Sequence, residues 1–120
     1  MTRQLELLRS GRIAAQIARC PRIFLPLGTI EYHSQHLPVG LDGLQAHWVC
    51  LDAATIAGGL VYPVLWWGTC GGHGDYPWSV MMPGTAEIEA TLGFTLSRSR
   101  ALEVRQAVLF SGHLLMSNCR

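Results

Sequence analysis

The sequence contains no lysine among its 120 residues, so its nine permanently basic side chains are all arginines. This absence excludes Schiff-base catalysis and the P-loop lysine, which leaves His, Asp, Glu, Cys and Ser as candidate reactive groups. Charged residues of both signs are scarce, at 14% against about 25% in average soluble domains. With a net charge of +1 and no basic run, the chain lacks the electrostatic pattern of a protein that binds nucleic acid.

Long apolar runs and paired cysteines are missing too. No run approaches the ~20 residues of a spanning helix, and arginines interrupt the N-terminal segment where a signal peptide would be apolar. The four cysteines form no C-x-x-C pair and no zinc-finger spacing, so we expect reduced thiols. These absences predict a cytoplasmic protein that does not associate with a membrane. The 49% apolar content predicts that another subunit, in a homo-oligomer, or a missing remainder of the chain covers part of the surface.

Helix-like and strand-like segments alternate along the chain. Helices are predicted for residues 4–19 with a break near Ser10-Gly11, for residues 43–57, and for residues 86–102 after Thr85 as N-cap. Apolar strands are predicted for residues 22–28, 60–66 and 106–110, and Pro26 restricts the first to a sheet edge or a strand end. This order predicts a mostly parallel sheet covered on both faces, in a three-layer α/β/α fold with residues 1–120 as a single domain.

Titratable side chains follow the end of each predicted strand. Glu31 and His33 come after the first strand, His73 and Asp75 after the second, and His113 directly after the third. The carboxyl ends of parallel strands lie along one edge of a sheet, where ligands bind in open α/β folds. We therefore expect these residues to lie close together.

The residue types at this edge are those of a hydrolytic metal site. Such sites use nitrogen and oxygen ligands, often with a carboxylate that bridges two ions about 3.5–4 Å apart. Glu31 and His33, two apart in extended backbone, point the same way and can each serve one ion. Asp42 would bridge the ions and His113 would complete the set. Taken singly, each residue has a commoner explanation, Asp42 as a helix N-cap and His113 as a hydrogen-bonded core residue. Taken together, the residues favour the metal site.

The spacing of these residues resembles a known signature. The pattern Pro26-x-Gly28-x-x-Glu31-x-His33-x-x-His36-Leu37-Pro38-x-Gly40-x-Asp42 is similar to that of the creatininase-type amidohydrolases. Two later motifs of that family are similar to Pro83-Gly84-Thr85 and Ser111-Gly112-His113. The resemblance therefore extends over most of the chain.

The resemblance implies an oligomeric α/β/α sandwich that hydrolyses C–N bonds of small cyclic amides or formamides. It implies that Glu31 and His113 hold one divalent ion, that His33 holds another, and that Asp42 bridges them. Zn, Mn and Fe all suit this ligand set, with one or two ions bound. In the implied mechanism, a metal-activated water attacks the carbonyl of the amide.

The sequence departs from the family pattern after His113. Leu114-Leu115-Met116 stand where family members have Gly-Gly-Asn or a further carboxylate. Family members are also much longer, and their later half carries a catalytic Glu/His segment that has no counterpart here. We therefore interpret the chain as the N-terminal part of a creatininase-like enzyme. The alternative is a truncated or degenerate family member that folds or oligomerises without turnover.

Four further residues are candidates for supporting or catalytic roles. His36 would orient a ligand through a hydrogen bond, or would simply pack beside Leu37-Pro38. In the Gly-rich loop after the second strand, His73 and Asp75 are candidate acid/base groups, and Trp78 is a candidate wall for the substrate. An ordered surface loop explains the same residues without a function.

Overall fold

The computed structural model describes residues 2–69 and 73–113, and in this part the helices and strands alternate as predicted. After a 3-10 turn at Leu5–Leu7, the elements are α1 (Ser10–Arg19), β1 (Arg22–Leu27), α2 (Leu41–Ala57), β2 (Leu60–Val61), α3 (Ala86–Ala101) and β3 (Gln106–Ser111). The first helical segment is broken at Leu8 and Arg9. The predicted break at Ser10-Gly11 is wrong by two residues, because these residues begin α1.

The three strands form a parallel sheet in the order β2-β1-β3. β1 is therefore central among the described strands. Of the two positions expected for Pro26, a sheet edge or a strand end, the structure shows the strand end, because Pro26 is the second-to-last residue of β1. Pro26 lacks an N–H, but its carbonyl still accepts a hydrogen bond from Leu65 N–H at 3.0 Å. This bond lies on the side of β2, which has already ended at Val61. The absence of an N–H on Pro26 therefore costs few hydrogen bonds between β1 and β2.

β2 is much shorter than the predicted strand over residues 60–66. Pro63 follows it closely, and a proline cannot donate to a ladder inside a sheet. Pairing with β1 resumes only as an isolated bridge between Leu27 and Leu65. The two strands nevertheless stay adjacent, so the segment after β2 leaves the sheet at the same edge as the segment after β1.

Alternate residues of β1 contribute to two separate hydrophobic clusters. One cluster has as its buried members Ile17, Ile23, Leu25 and Leu60, with Leu96 of α3 packed against them. The other consists of Phe24, Cys50, Ala54 and Val61. Helices α1 and α3 therefore cover one face of the sheet and α2 covers the other, which confirms the three-layer α/β/α prediction.

The core also accounts for the cysteines that the structure describes. Cys20 and Cys50 are both free, as expected for reduced thiols. Burial raises the pKa of the Cys50 thiol to about 11, so this side chain stays a neutral, unreactive thiol at pH 7. Cys70 and Cys119 lie outside the described residues.

The ends of the two longer helices follow local sequence. Gly58 terminates α2 with φ +76°, a conformation that glycine adopts without strain. Thr85 occupies the predicted N-cap position before α3. Its side chain, however, makes no capping hydrogen bond. Within the described part of the chain, neither these helices nor α1 is long and apolar enough to cross a bilayer.

The two isoleucines Ile23 and Ile56 offer a direct test of the core assignment. Ile23 is fully buried and Ile56 is 88% exposed. Ile23→Ala should lower the free energy of unfolding by about 2–5 kcal/mol, because it leaves a cavity between β1 and α1. Ile56→Ala should change it by less than about 0.5 kcal/mol. Urea unfolding followed by circular dichroism measures both, and equal effects would contradict the packing.

Candidate metal centre

All four predicted ligands meet at the carboxyl edge of the sheet. Glu31 and His33 follow β1, Asp42 lies in the first turn of α2, and His113 follows β3. One ligand atom each from Glu31, Asp42 and His113 can be chosen so that all lie within 4.8 Å of one another. A single cation can contact atoms at this spacing, so the convergence expected from the parallel strands is present in the structure.

Asp42 lies between two of the histidines. Its Oδ1 is 3.1 Å from His33 Nε2, and its Oδ2 is 3.1 Å from His113 Nδ1. Gly40, not Asp42, occupies the N-cap of α2, where no side-chain capping bond forms. The explanation of Asp42 as an N-cap therefore does not apply. Its position in the first turn of α2 still places the carboxylate at the positive end of the helix dipole.

Glu31 likewise contacts two histidines. Its Oε2 is 3.1 Å from His113 Nδ1, and its Oε1 is 3.0 Å from His73 Nδ1. The Glu31 side chain is only 8% exposed and that of His113 is 9% exposed, whereas that of His73 is 53% exposed. The cluster is therefore buried on the side of the sheet and open on the side of His73.

The hydrogen bonds of His33 identify its tautomer. Its Nδ1 lies 2.9 Å from the backbone carbonyl oxygen of Glu31, which can only accept, so Nδ1 carries the hydrogen. In the neutral ring, Nε2 then presents a lone pair to Oδ1 of Asp42, which is also an acceptor. Two acceptors at this distance need a cation between them, either a proton or a metal ion. A backbone carbonyl that orients a histidine in this way is common at metal sites.

The charge balance of the cluster also fits a divalent ion. Glu31 and Asp42 are each 6% exposed, and buried carboxylates are normally paired with a cation or bound to a metal. Among the described residues, the ion-pair partners of both are histidines, and the only arginine ion pair is the distant Arg105 with Glu103. The donor set of carboxylate oxygens and imidazole nitrogens suits Zn, Mn or Fe. The residues present therefore fit the metal that the sequence predicts.

A loop after β2 closes one side of the cluster and carries His73. The ring of Tyr76 stacks on Tyr32, with centroids 4.7 Å apart and an interplanar angle of 2°, and meets His73 edge-on at 5.5 Å. The backbone N–H of Tyr32 donates to Ser79 Oγ at 2.9 Å, and Val80 N–H donates to the Ile30 carbonyl at 2.8 Å. The loop is thus attached to the segment that carries Glu31 and His33, which places His73 in the cluster.

Three of the predicted supporting residues lie apart from the ligands. His36 and Asp75 are exposed, and no hydrogen bond or ion pair within residues 2–69 and 73–113 joins either to the cluster. Trp78 is 82% exposed and has a φ of +67°. The structure therefore brings His73 to Glu31 but leaves the other three exposed at the surface.

Thr29 is a polar residue of the site that the sequence interpretation missed. It is fully buried, and its hydroxyl donates to Asp42 Oδ2 at 2.6 Å. One hint was present in the sequence, because Thr29 follows an apolar strand and lies two positions before Glu31. Side chains two positions apart in extended backbone point the same way. Nothing in its residue type distinguished it from an ordinary strand threonine.

A cavity of about 300 Å³ lies beside the cluster, between the sheet and α3. Its lining is mainly apolar and includes Leu27, Leu65, Ile88, Leu92 and Leu109. Among the cluster residues only His113 reaches it. The cavity therefore borders the site without containing it.

Comparison with known proteins agrees with the fold and with the residue pattern. A family model described as "Creatininase: Creatinine amidohydrolase" matches residues 6–118. No curated protein matches the chain significantly. Two solved mutant creatininases, one complexed with creatine and one of Zn-Zn type, are each 25% identical, with a TM-score of 0.89 over 98% of this chain and 47% of theirs. A manganese creatininase is 25% identical, with a TM-score of 0.88 over 94% of this chain and 46% of its own.

The chain therefore spans less than half the length of these solved structures. The described strands, helices and ligand cluster all fall within the matched part. Because the family match covers residues 6–118 of the 120, the protein belongs to the creatininase (creatinine amidohydrolase) family.

Proposed function

We propose that this protein supplies the metal-binding part of an amidohydrolase that cleaves a C–N bond in a small cyclic amide or a formamide. The observation that supports it most is the convergence of Glu31, Asp42 and His113, two buried carboxylates and an imidazole. Within the described residues, neither carboxylate forms an ion pair with an arginine. The family match supports the reaction class, and the creatine complex of one solved relative supports a small-molecule substrate.

The cluster would hold one or two divalent ions. Glu31 and His113 are the proposed ligands of one ion, His33 is the proposed ligand of the other, and Asp42 would bridge both. The two oxygens of Asp42 face different histidines, which is the arrangement expected of a bridging carboxylate. Zn or Mn is favoured by the Zn-Zn and Mn forms of the solved relatives, and Fe suits the same donors. When bound, such ions polarise a carbonyl and make a water molecule more nucleophilic.

The protein side chains around the ions would orient the substrate and move protons. His73 is half exposed at the open side of the cluster and is fixed by Glu31 and Tyr76, so we propose that it transfers a proton to or from the substrate. Asp75 and Trp78 lie on the same loop, at the surface. We propose that Trp78 forms a wall against the substrate and that Asp75 assists the proton transfer.

The surface of α2 supports the proposed homo-oligomer. Leu44, Trp48 and Ile56 are exposed large apolar side chains of this helix, at 43%, 63% and 88%. Apolar groups at this density on one helix usually mark an interface with another protein. A second copy of the chain is the proposed partner.

The activity test uses the protein loaded with Zn or Mn and a panel of cyclic amides and formamides, creatinine among them. We expect ring opening or deformylation that a chelator abolishes and added metal restores. His73→Gln should lower the turnover number about 10²–10⁴-fold while the metal content stays the same. His47→Gln in α2, a histidine without a proposed role, is the matched control.

The same assay separates an enzyme from a family member without turnover. Hydrolysis of any member of the panel, lost in His73→Gln, supports the proposal. A protein that binds its metal stoichiometrically yet leaves every substrate intact would contradict the hydrolase function and favour the degenerate alternative.

A further inference from the structure

We propose that Thr29 is a positioning residue that holds the Asp42 carboxylate in its bridging orientation, an inference that rests on the proposed metal centre. Thr29 immediately follows Gly28 at the end of β1 and is fully buried. Its hydroxyl lies 2.6 Å from Asp42 Oδ2, a buried pair. An ionised carboxylate can only accept, so the hydroxyl is the donor.

The hydrogen bond from Thr29 fixes one oxygen of a carboxylate whose two oxygens contact different histidines. Asp42 Oδ2 also lies 3.1 Å from His113 Nδ1, while Oδ1 lies 3.1 Å from His33 Nε2. The terminal torsion of an aspartate is broad, so the carboxylate plane is free to rotate unless something holds it. A short bond from Thr29 to one oxygen removes that freedom and keeps the other oxygen directed at His33.

The threonine itself is held by packing. A Cβ placed on Gly68 would overlap the Thr29 methyl group, so the Gly68 backbone lies directly against that methyl. Threonine is β-branched and stiff at χ1, so a fixed methyl also fixes the hydroxyl. Gly68 belongs to the segment after β2. All three strand ends thus contribute to the geometry of Asp42: Thr29 after β1, Gly68 after β2 and His113 after β3.

Two substitutions separate this role from ordinary core packing. Thr29→Val keeps the shape of the side chain and removes the hydroxyl, whereas Thr29→Ser keeps the hydroxyl and removes the methyl. If Thr29 only fills space, valine should bind metal like the wild type and serine should be the worse variant. If the hydroxyl positions Asp42, the order is reversed. Partners of this kind at metal sites typically account for 10–100-fold in metal affinity.

The experiment is titration calorimetry of the metal-free protein with Zn²⁺ and Mn²⁺, with urea unfolding of each variant in parallel. Thr29→Val should weaken binding about 10–100-fold, while Thr29→Ser stays closer to the wild type. The visible spectrum of the Co²⁺-loaded protein should change in Thr29→Val and be retained in Thr29→Ser. Thr91→Val is the control, because the Thr91 hydroxyl donates to a carbonyl within exposed α3, away from the cluster.

The outcomes are distinct for the two proposals. Thr29→Val with wild-type affinity and spectrum, or with tighter binding than Thr29→Ser, would overturn the role of Thr29 and leave the metal centre intact. A wild-type protein that binds no ion would refute the metal centre and the role of Thr29 with it. If Thr29→Val does not fold because its second methyl group faces the buried Asp42 carboxylate, Thr29→Ala removes the same hydroxyl without adding a methyl there, and the same loss of affinity is expected.

Discussion

Asp42→Asn should reduce the divalent metal content of the purified protein to background. The amide keeps the size of the side chain but removes its charge and one of the two oxygens that contact His33 and His113. Glu31 would then be the remaining carboxylate of the cluster, and a single carboxylate with histidines binds a divalent ion much more weakly. Elemental analysis of protein dialysed against trace metal measures the content directly.

Asp52→Asn is the matched control for this substitution. Asp52 is exposed in the same helix, α2, and lies away from the carboxyl edge of the sheet. Asp52→Asn should leave the metal content unchanged. That result would show that the loss in Asp42→Asn does not come merely from lowering the negative charge of the protein. An Asp42→Asn protein that retains a full equivalent of metal would remove Asp42 from the ligand set.

Gly112→Ala should lower the stability of the fold and weaken metal binding together. A Cβ on Gly112 would overlap the carbonyl oxygen of Asp42, and Gly112 N–H donates to the Leu27 carbonyl at 2.9 Å. The strand end and the first turn of α2 must therefore move apart, which displaces His113 from Asp42. We expect a loss of about 1–3 kcal/mol in the free energy of unfolding, typical of overpacking.

Gly93→Ala gives the opposite expectation. Gly93 lies within α3, and a Cβ there meets no atom within 4 Å. Alanine in a helix interior should raise the free energy of unfolding by about 0.5–1 kcal/mol and leave the metal unaffected. Urea unfolding in the presence of a chelator compares the two variants. Stabilisation by Gly112→Ala would show that the strand end does not lie against α2 as described.

The architecture was predictable from the order of apolar segments. Alternating strands and helices allow few arrangements, so the parallel sheet and its two helical layers follow from connection rules. The extent of the strands was less predictable, because Pro63 ends β2 after two residues where the apolar run continues to Trp66. Pro26 lies in the central strand because its neighbour β2 stops before the missing donor is needed.

The predictable part of the candidate site is the part that depends on chain topology. Glu31, His33 and His113 follow strand ends, and Asp42 lies in the first turn of the helix after β1, so the fold alone brings them together. The placement of His73 against Glu31 depends instead on a stacked pair of tyrosines and on two hydrogen bonds between loops, one accepted by the Ser79 hydroxyl and one by the Ile30 carbonyl. Contacts of that kind carry no periodic signal in a sequence.

Thr29 illustrates the same limit at shorter range. Its role depends on a rotamer held by the Gly68 backbone, 39 positions later in the chain. Residue type gives the chemistry of a hydroxyl, but tertiary packing decides which acceptor it reaches. His36 shows the converse, because a place in the family-like pattern did not bring its side chain to the cluster.

The most direct test of the metal centre is the anomalous scattering of crystals grown with zinc or manganese. The structure predicts a peak above the metal's absorption edge between Glu31, Asp42 and His113, with a second peak between Asp42 and His33 if two ions bind. Data collected below the edge should lose both peaks. A metal-saturated crystal with no anomalous peak at these side chains, and with His113 hydrogen-bonded directly to the two carboxylates, would contradict the account.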